Sequence, residues 1–478
     1  MFYSSNHNSL FSARLFPEEI SVRTFLPDGK IGLELETQRI DQSGHLALTP
    51  HPFEEEPYID RDFGEAQIEI NTPPAPGTEE VQALLHEQLR IAHVKLAGQG
   101  ELLWPFSNPP AIDSDADIRI AEYTGELEKK TVYRRYLAAK YGKKKMTLCG
   151  IHFNYSFSEE LLKKNFALSG RDDFRAYKNA LYLQLAEKVL QYGWVIVALL
   201  AASPLVDGTY DSSGECEQQE KHKHTVFTGY SSLRCSREGY WNMFDPVLSY
   251  KDISSYTESI RQYREKGLLR HEGELYYPVR IKPAGKYSLR NLCGQGVSHI
   301  ELRMIDLNPL SADGIDQRDL CFLQMFLIWL AGKGRMPLDE KEQKRALRNL
   351  KEAARFDWND IRISLADGSE GSAQQELEHI LAEMTELFCD VGPAWQEALQ
   401  HQKDKVRYPE KRYAQQVMDL YGGAYLEQGL KRAEELQQYY TQKGIAPSSA
   451  GGEKQVFSGG VQSPSEYASG GSQARSAE

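Results

Sequence analysis

The sequence predicts an α+β protein that consists of one sheet with a polar face, flanking helices and a helical C-terminal region. Four segments before residue 305 alternate polar and apolar residues with the period of two that is typical of β-strands. After residue 316 the apolar residues recur at helical spacing, which predicts helices at residues 316–332, 338–356, 373–399 and 408–443. The apolar runs at residues 194–202 and 320–331 are shorter than the ~20 residues that span a bilayer, so we expect both to form buried core helices.

Composition and charge restrict the possible classes of function. The 478 residues include 56 Lys and Arg against 68 Asp and Glu, and the formal net charge of −12 argues against a protein that coats nucleic acid. The six cysteines are scattered without a Cys-x-x-Cys pair, which is typical of a reducing compartment. The first 15 residues lack the apolar core of a signal peptide, so we expect a cytoplasmic protein without a membrane partner.

The polar faces of the four predicted strands contain the main candidate residues. In residues 31–40, Glu34 and Glu36 lie on the face opposite Leu33 and Leu35. For any single strand, a face turned to solvent is the simpler interpretation. Carboxylate oxygens suit Mg²⁺, a neutral histidine also suits Mn²⁺, and such ions assist phosphoryl transfer from ATP. Together the four faces offer that chemistry, through Glu34, Glu36, Glu69, His152, Asn154, Glu301 and Arg303.

Further candidates lie outside these strands. Asp62, in the loop before the second strand, is a candidate metal ligand. Lys130 and Arg134 lie on a predicted basic helix at residues 129–141 and could bind phosphate, although a basic helix face is more often solvated. Arginine suits a substrate carboxylate because its planar group binds in a bidentate manner. The residues considered for substrate binding are Arg234, Tyr240, Tyr276, Arg280 and Lys282. The last three lie on a strand predicted at residues 275–282.

Several common signatures are missing from the sequence. It contains no Gly-x-x-x-x-Gly-Lys-Ser/Thr phosphate loop, no Gly-x-Gly-x-x-Gly and no His-Glu-x-x-His. A nucleotide would therefore be held on another scaffold, by basic side chains and carboxylate-bound ions. Cys216, His222 and His224 offer soft-metal ligands, but they lie in a polar stretch with few anchors, and we interpret their proximity as incidental.

Several motifs follow one another between about residues 30 and 330. They are Gly32-Leu-Glu-Leu-Glu36, Asp62-Phe-Gly-Glu65, Trp104-Pro-Phe-Ser107, Gly150-Ile-His-Phe-Asn-Tyr-Ser156, Ser232-Leu-Arg234 and Ile300-Glu-Leu-Arg303. In content and order they resemble the motifs of bacterial glutamate–cysteine ligases. The resemblance extends to the ligase half of the fused enzymes that make glutathione on one chain.

The resemblance implies a fold and a reaction. The fold is a curved, mainly antiparallel sheet related to that of glutamine synthetase, with metal ions on a polar concave face. In the implied reaction, Mg²⁺-bound ATP phosphorylates the γ-carboxylate of glutamate, and the amine of cysteine then displaces phosphate. The product is γ-glutamylcysteine, so the reaction is the first step of glutathione synthesis.

The resemblance also implies roles for individual residues. The family's metal-binding positions match Glu34, Glu36, Asp62, Glu69, His152 and Glu301. Arg303 matches the arginine at the nucleotide phosphates, and we expect it to be catalytic together with Glu301. We expect ATP to be bound by Arg303, Lys130, Arg134 and Asn154. Positions around the bound cysteine match Arg234 and Tyr240, and we expect Arg280 and Tyr276 to contribute to substrate binding as well.

Departures from the family pattern leave two rival interpretations. Leu35 replaces a residue that is usually basic in the family, and residues 207–224 align with no family segment. Because the latter stretch lies near the expected cysteine pocket, the alternatives are a γ-glutamyl ligase with a different amine acceptor and a non-catalytic member that binds glutamate or ATP.

We expect a single catalytic domain and no second ligase module on the chain. The domain is predicted at residues 1–444, with a sheet core at about 30–315 and a helical part at about 316–444. Residues 445–478 are rich in Gly and Ser and are predicted to be a disordered tail.

Overall fold

The computed structural model describes residues 13–210, 225–334, 337–365 and 368–442. The predicted tail at residues 445–478 lies outside the described residues, and so do Cys216, His222 and His224.

Strands and helices are interspersed through the first two thirds of the chain. The strands are β1 (Lys30–Ile40), β2 (Ile59–Arg61), β3 (Gln67–Asn71), β4 (Ala75–Pro76), β5 (Leu102–Leu103), β6 (Ile151–Ser156), β7 (Leu205–Asp207), β8 (Thr225–Phe227), β9 (Val279–Lys282), β10 (His299–Ile305), β11 (Arg362–Ser364) and β12 (Glu370–Ser372). The helices are α1 (Ile20–Arg23), α2 (Gly77–Ala97), α3 (Glu128–Tyr141), α4 (Glu159–Leu168), α5 (Phe174–Tyr192), α6 (Trp194–Leu200), α7 (Ile253–Glu265), α8 (Leu289–Gln295), α9 (Gln317–Gly332), α10 (Glu340–Ala353), α11 (Ala373–Leu387), α12 (Pro393–Arg407), α13 (Tyr413–Tyr421) and α14 (Tyr425–Gln442).

An antiparallel sheet forms the centre of the protein. Its strands follow the order β2-β3-β1-β6-β10-β9, and β4 and β5 also pair with β1. Each described pair of neighbouring strands within this sheet is antiparallel. The four predicted polar-faced strands are therefore adjacent, as β3, β1, β6 and β10. The α+β fold class predicted from the sequence is confirmed.

The apolar face of the sheet is covered by helices. Its side chains are buried in one large hydrophobic core, which includes Leu33 of β1, Ile68 of β3, Phe153 of β6 and Leu302 of β10. Helix α2 packs on β1 and β3, whereas α5 and α6 pack on β9 and β10. Alternation with period two leaves the polar side chains of the same strands on the opposite face.

Both long apolar runs form buried helices, as predicted. Helix α6 is buried along its whole length, and α9 is buried from Asp319 to Ala331. None of the helices that the structure describes is by itself long and apolar enough to cross a bilayer. Helices α5 and α6 meet that length and composition test only as a pair, and the pair is bent by 56°.

The C-terminal region is less continuous than the periodicity predicted. The expectation of helix throughout is wrong at β11 and β12, which pair with each other as antiparallel strands and lie between α10 and α11 in the chain. The single helix predicted at residues 373–399 is two helices, because Pro393 lacks an N–H and starts α12 anew. The helix predicted at 408–443 is divided between α13 and α14 at Gly422 and Gly423.

The strand predicted at residues 275–282 is also shorter than expected. Only Val279–Lys282 is β-strand, and it begins directly after Pro278. Proline cannot donate a hydrogen bond to a neighbouring strand, so the ladder starts beyond it. Tyr276 therefore lies in an irregular segment before β9 and not on the strand itself.

Candidate active site

Strand register brings the predicted polar residues together on one face of the sheet. Glu34 of β1 lies opposite His152 of β6, and Glu36 lies opposite Glu69 of β3. On the other side of β6, Glu301 lies opposite Asn154. These residues come from four strands that are far apart in sequence. We call Glu34, Glu36, Asp62, Glu69, His152 and Glu301 the carboxylate cluster.

His152 lies at the centre of the carboxylate cluster. Its Nδ1 is 2.9 Å from Glu34 Oε2 and 3.9 Å from Glu301 Oε1, and its Nε2 is 3.4 Å from Glu36 Oε1. Asn154 Nδ2 donates a hydrogen bond of 3.1 Å to Glu34. Burial and the nearby charge of Arg303 lower the pKa of His152 to about 4, so the ring is neutral near pH 7. A neutral imidazole can act as a metal ligand.

Basic side chains contact Glu34 and Glu301 of the carboxylate cluster. Lys282 Nζ bridges Glu34 Oε1 at 3.3 Å and Glu301 Oε1 at 3.2 Å, and Arg303 binds Glu301 at 3.0 Å. Burial opposes ionisation of Glu34, but Lys282 and His152 outweigh it and lower the pKa of Glu34 to about 2. The pKa of Glu301 is likewise held well below its usual value against burial, by Lys282, Arg303 and Arg280.

Around Glu36, Asp62 and Glu69, burial and mutual repulsion oppose ionisation of the carboxyl groups. Burial and the neighbouring Asp62 raise the pKa of Glu36 to about 8. Burial and Glu34 raise the pKa of Glu69 well above its ordinary value, and burial also raises that of Asp62. Buried carboxylates of this kind repel one another unless a cation lies between them.

The donor set of the cluster fits a divalent cation. Ligand atoms of Glu34, His152 and Glu301 all lie within 4.8 Å of one another. Glu301 Oε2 is buried and accepts no hydrogen bond from the described residues. Oxygen donors with one imidazole are the ligands expected for Mg²⁺ or Mn²⁺. A divalent ion would also stabilise the ionised forms of Glu36 and Glu69, which burial and neighbouring carboxylates otherwise disfavour.

A small cavity adjoins the cluster and includes most of the predicted substrate-binding residues. Arg234, Tyr240, Tyr276 and Arg303 line it, together with the neighbouring Trp241, Tyr277 and Pro278. The ring centres of Tyr240 and Tyr276 are 4.1 Å apart, and the ring planes are tilted by 40°. Arg234 reaches back to the cluster, where its NH2 is 3.4 Å from His152 Nε2. We call this space the aromatic cavity.

Arg280 does not line the aromatic cavity. Its guanidinium NH1 lies 3.6 Å from Glu301 Oε2, and its NH2 donates to the carbonyl of Leu275 at 2.9 Å. The guanidinium also lies over the ring of Tyr287, 5.2 Å from its centre. Its described contacts therefore support the carboxylate cluster and the segment before β9.

Lys130 and Arg134 also have partners within the protein. Lys130 Nζ is 3.3 Å from Asp60 Oδ2, and Arg134 donates to the backbone carbonyls of Arg61 and Asp62. Through these contacts α3 holds the loop that contains Asp62 beside the cluster. The binding of ATP phosphates by these two basic residues stays a prediction.

The structure places some residues of the site where the sequence did not predict them. Lys282 was considered for substrate carboxylates, whereas the structure shows it between Glu34 and Glu301. The alternation of Arg280 and Lys282 on β9 was a usable signal for a side chain on the polar face. No sequence pattern distinguishes Asn242 and Glu274, which lie behind the aromatic cavity. Asn242 is in an irregular segment, and Glu274 ends a short 3-10 helix, Glu272–Glu274.

The fold and the site together define a class of protein: an antiparallel sheet with helices on its apolar face and a carboxylate–histidine–arginine site on its polar face. A family model described as glutamate-cysteine ligase matches residues 18–353. The chain belongs to the glutamate–cysteine ligase family, and the resemblance inferred from its motifs is confirmed.

Curated relatives agree with this family membership. The chain is 34% identical over 418 residues to the glutathione biosynthesis bifunctional protein GshAB of Listeria innocua, covering 84% of this chain and 53% of the relative. It is also 34% identical over 395 residues to the glutamate–cysteine ligase of Clostridium acetobutylicum, covering 73% of this chain and 80% of that protein. The chain thus spans about half the length of the bifunctional relatives that it matches.

Solved structures share the fold. A bifunctional glutathione synthetase from Pasteurella multocida superposes with a TM-score of 0.77 at 27% identity, over 90% of this chain and 55% of that one. A glutamate–cysteine ligase from Francisella tularensis, solved in complex with AMP, has a TM-score of 0.78 at 21% identity. That comparison covers 88% of this chain and 90% of the other.

Proposed function

We propose that the chain catalyses the ATP-dependent ligation of the γ-carboxylate of glutamate to the amine of cysteine. The observation that supports this most strongly is the carboxylate cluster with Arg303 on adjacent strands, in a chain of the glutamate–cysteine ligase family. The ligase relative from Clostridium acetobutylicum is named for this reaction. The product would be γ-glutamylcysteine, and the reaction would be the first step of glutathione synthesis.

The reaction has two balanced steps. In the first, an oxygen of the γ-carboxylate attacks the γ-phosphorus of ATP, and the bond to the ADP oxygen breaks. In the second, the amine nitrogen of cysteine attacks the acyl carbon of γ-glutamyl phosphate, phosphate leaves and the amine loses a proton. We assign Arg303 to the transferring phosphoryl group, because its guanidinium lies at the junction of the cluster and the aromatic cavity.

We propose Mg²⁺ as the metal ion, with Mn²⁺ as the less favoured choice because most of the ligands are carboxylates. The carboxylate cluster would hold it, with Glu34, His152 and Glu301 as the set whose ligand atoms converge. When bound, the ion offsets negative charge on the phosphates of ATP. We further assign nucleotide binding to Lys130, Arg134 and Asn154, which lie beside the same polar face.

The aromatic cavity is the proposed pocket for the amine acceptor. Arg234 would bind the acceptor's carboxylate, and Tyr240 and Tyr276 would contact its side chain. Aromatic rings suit a thiol because sulfur makes favourable contacts with them. We also propose a cytoplasmic location, since the five cysteines in the described part of the chain are free thiols.

The test is phosphate release from ATP by the purified chain. We expect release only when glutamate, cysteine and Mg²⁺ are all present. Glu34→Gln should lower turnover at least about 100-fold, the scale of losing one preorganised electrostatic group. Glu159→Gln is the matched control, because that side chain is exposed and forms an ion pair with the exposed Lys163.

Each contrary result would change the proposal in a specific way. Unchanged turnover in Glu34→Gln would remove the metal role from the carboxylate cluster. A panel of amino acids in which another amine outperforms cysteine would replace the acceptor and keep the acyl phosphate. ATP binding in calorimetry without phosphate release from any mixture would indicate a non-catalytic member.

A further inference from the structure

A buried carboxylate, Glu274, lies behind the aromatic cavity and outside the carboxylate cluster. Its side chain is 0% exposed. Glu274 Oε1 accepts hydrogen bonds from Tyr141 at 2.8 Å, Tyr136 at 3.2 Å and Lys140 Nζ at 2.5 Å. Its Oε2 accepts from the backbone N–H of Arg270 at 2.7 Å. This one carboxylate therefore joins α3 to the segment that precedes β9.

Asn242 extends this junction to a third segment. Its Oδ1 accepts the backbone N–H of Tyr276 at 2.9 Å, and its Nδ2 donates to the Glu274 carbonyl at 2.8 Å and to the Tyr141 hydroxyl at 3.1 Å. Asn242 follows Tyr240 by two residues. The backbones that carry Tyr240 and Tyr276, the two contacting tyrosines of the cavity, are thus tied together through Asn242.

The junction determines where Tyr276 lies. Asn242 holds the backbone of Tyr276. The ring of Tyr276 contacts Tyr240, with ring centres 4.1 Å apart, and it meets Tyr141 in an edge-to-face arrangement, with ring centres 5.2 Å apart. The Tyr141 hydroxyl is the point where Glu274 and Asn242 meet, because it donates to the carboxylate and accepts from the amide. A change at that hydroxyl would leave buried polar groups unpaired and allow Tyr276 to shift.

Two contacts limit how far such a shift would spread. Arg280 donates to the carbonyls of Gly273 and Leu275 on either side of Glu274. The backbone of the segment therefore stays attached to β9 when the Glu274 interactions are weakened. None of the described contacts of Asn242 or of the Glu274 side chain involves the carboxylate cluster.

We propose that Glu274 and Asn242 are positioning residues that set the affinity for the amine acceptor, by holding Tyr276 against Tyr240. This inference rests on the proposed function, since it takes the aromatic cavity to be the acceptor pocket. In this proposal Glu274 and Asn242 contact neither ATP nor glutamate. The expected signature is a change in KM for the acceptor alone.

Tyr141→Phe tests the proposal with a small change, because it removes one hydroxyl and keeps the ring contact with Tyr276. We expect the KM for cysteine to rise about 10-fold, the scale of one hydrogen bond to a charged group. The KM values for ATP and glutamate, and kcat at saturating cysteine, should stay within about twofold, since the altered contacts lie outside the cluster. Glu274→Gln keeps the shape but loses the charge pair with Lys140, and it should shift the same KM.

The matched control is Tyr413→Phe. The Tyr413 hydroxyl donates at 2.7 Å to Asp319, another buried carboxylate that pairs with a lysine, Lys405, at 3.2 Å. Tyr413→Phe should lower the thermal midpoint of unfolding without altering any KM.

The outcomes separate this inference from the proposed function. A wild-type chain without cysteine-dependent turnover contradicts the proposed function. If the wild type shows cysteine-dependent turnover but neither Tyr141→Phe nor Glu274→Gln changes the KM for cysteine, only the positioning role is contradicted. Equal KM changes for all substrates contradict it as well, and so does unfolding of Tyr141→Phe while Tyr413→Phe folds, since both results indicate a structural role.

Discussion

At the scale of single residues, position 150 must be glycine because the side chain of Arg234 passes directly against its backbone. The guanidinium of Arg234 crosses the backbone at Gly150 and donates to the carbonyl of Ile305 at 3.2 Å. A Cβ atom at position 150 would lie 1.3 Å from Arg234 NH1 and 2.6 Å from that carbonyl oxygen. Only a residue without a side chain leaves room for this arginine beside His152.

We predict that Gly150→Ala inactivates the protein by displacing Arg234. Misplacing a catalytic or binding group by about 1 Å can cost roughly 100-fold in rate, so kcat/KM for phosphate release should fall by at least that factor. Gly294→Ala is the control, because a Cβ there meets no atom within 4 Å. Activity of Gly150→Ala within twofold of wild type would show that Arg234 is not needed where the structure has it.

At the scale of secondary-structure elements, α2 and α14 meet through buried aromatic side chains. The ring of His93 on α2 stacks on Tyr440 of α14, with centres 4.6 Å apart and planes 10° apart. His93 Nδ1 is buried and has no hydrogen-bond partner in the part of the chain that the structure describes. Burial lowers the pKa of His93 to about 3.

We predict that this helix contact makes the protein less stable in acid. As the pH falls below about 6.5, the unfolded chain takes up a proton at His93 that the folded chain does not, so stability is lost toward low pH. From this group alone, the free energy of unfolding should fall by about 1.4 kcal/mol per pH unit between pH 6 and pH 4. His93→Phe keeps a ring against Tyr440 and should remove that part of the slope.

Urea unfolding at several pH values measures the slope. Two other histidines, the buried His51 and the half-buried His299, also have a pKa lowered to about 4, chiefly by desolvation, so the variant keeps a residual slope. His379→Gln changes an exposed histidine and serves as the control. Identical slopes for wild type and His93→Phe would rule out proton uptake at this position as a cause.

At the scale of the whole molecule, a buried ion pair joins the C-terminal helices to the core. Lys405 of α12 lies 3.2 Å from Asp319 of α9, and both side chains are almost fully buried. Gln402 and Tyr413 also donate to Asp319, so three helices meet at one carboxylate. None of these described contacts reaches the carboxylate cluster.

We predict that Lys405→Met destabilises the fold without changing the chemistry. Removing the lysine leaves Asp319 charged and buried, which costs about 3–5 kcal/mol when one partner of a buried pair is lost. The midpoint of urea unfolding should fall accordingly, while KM values measured well below that midpoint stay the same. Lys163→Met, which removes an exposed pair with Glu159, should leave the midpoint unchanged. A Lys405→Met protein of wild-type stability would contradict the prediction.

Local patterns predicted much of the architecture and the composition of the site. Alternation with period two identified Glu34, Glu36 and Glu301 as polar-face residues, because the face of a strand residue depends only on its neighbours. The two long apolar runs likewise identified the core helices α6 and α9. The breaks at Pro393 and at Gly422 were missed, because apolar spacing continued across them.

Local sequence patterns did not predict which distant segments contact one another. Lys282 was placed with the substrate, whereas the structure places it between Glu34 and Glu301, which lie on two other strands. Asn242 and Glu274 belong to no periodic pattern. Lys130 and Arg134 were recognised as basic, but their contacts with Asp60 and the carbonyls of the Asp62 loop depend on how α3 packs.

The sequence by itself therefore determined which side chains form a polar face and which form the core. It also determined the family, since the motifs occur in the family's order. The tertiary structure alone decided that β3, β1, β6 and β10 are neighbours and that Glu34 faces His152. The physical reason is that side-chain direction is a local property of the backbone, whereas strand order and register depend on packing against helices from elsewhere in the chain.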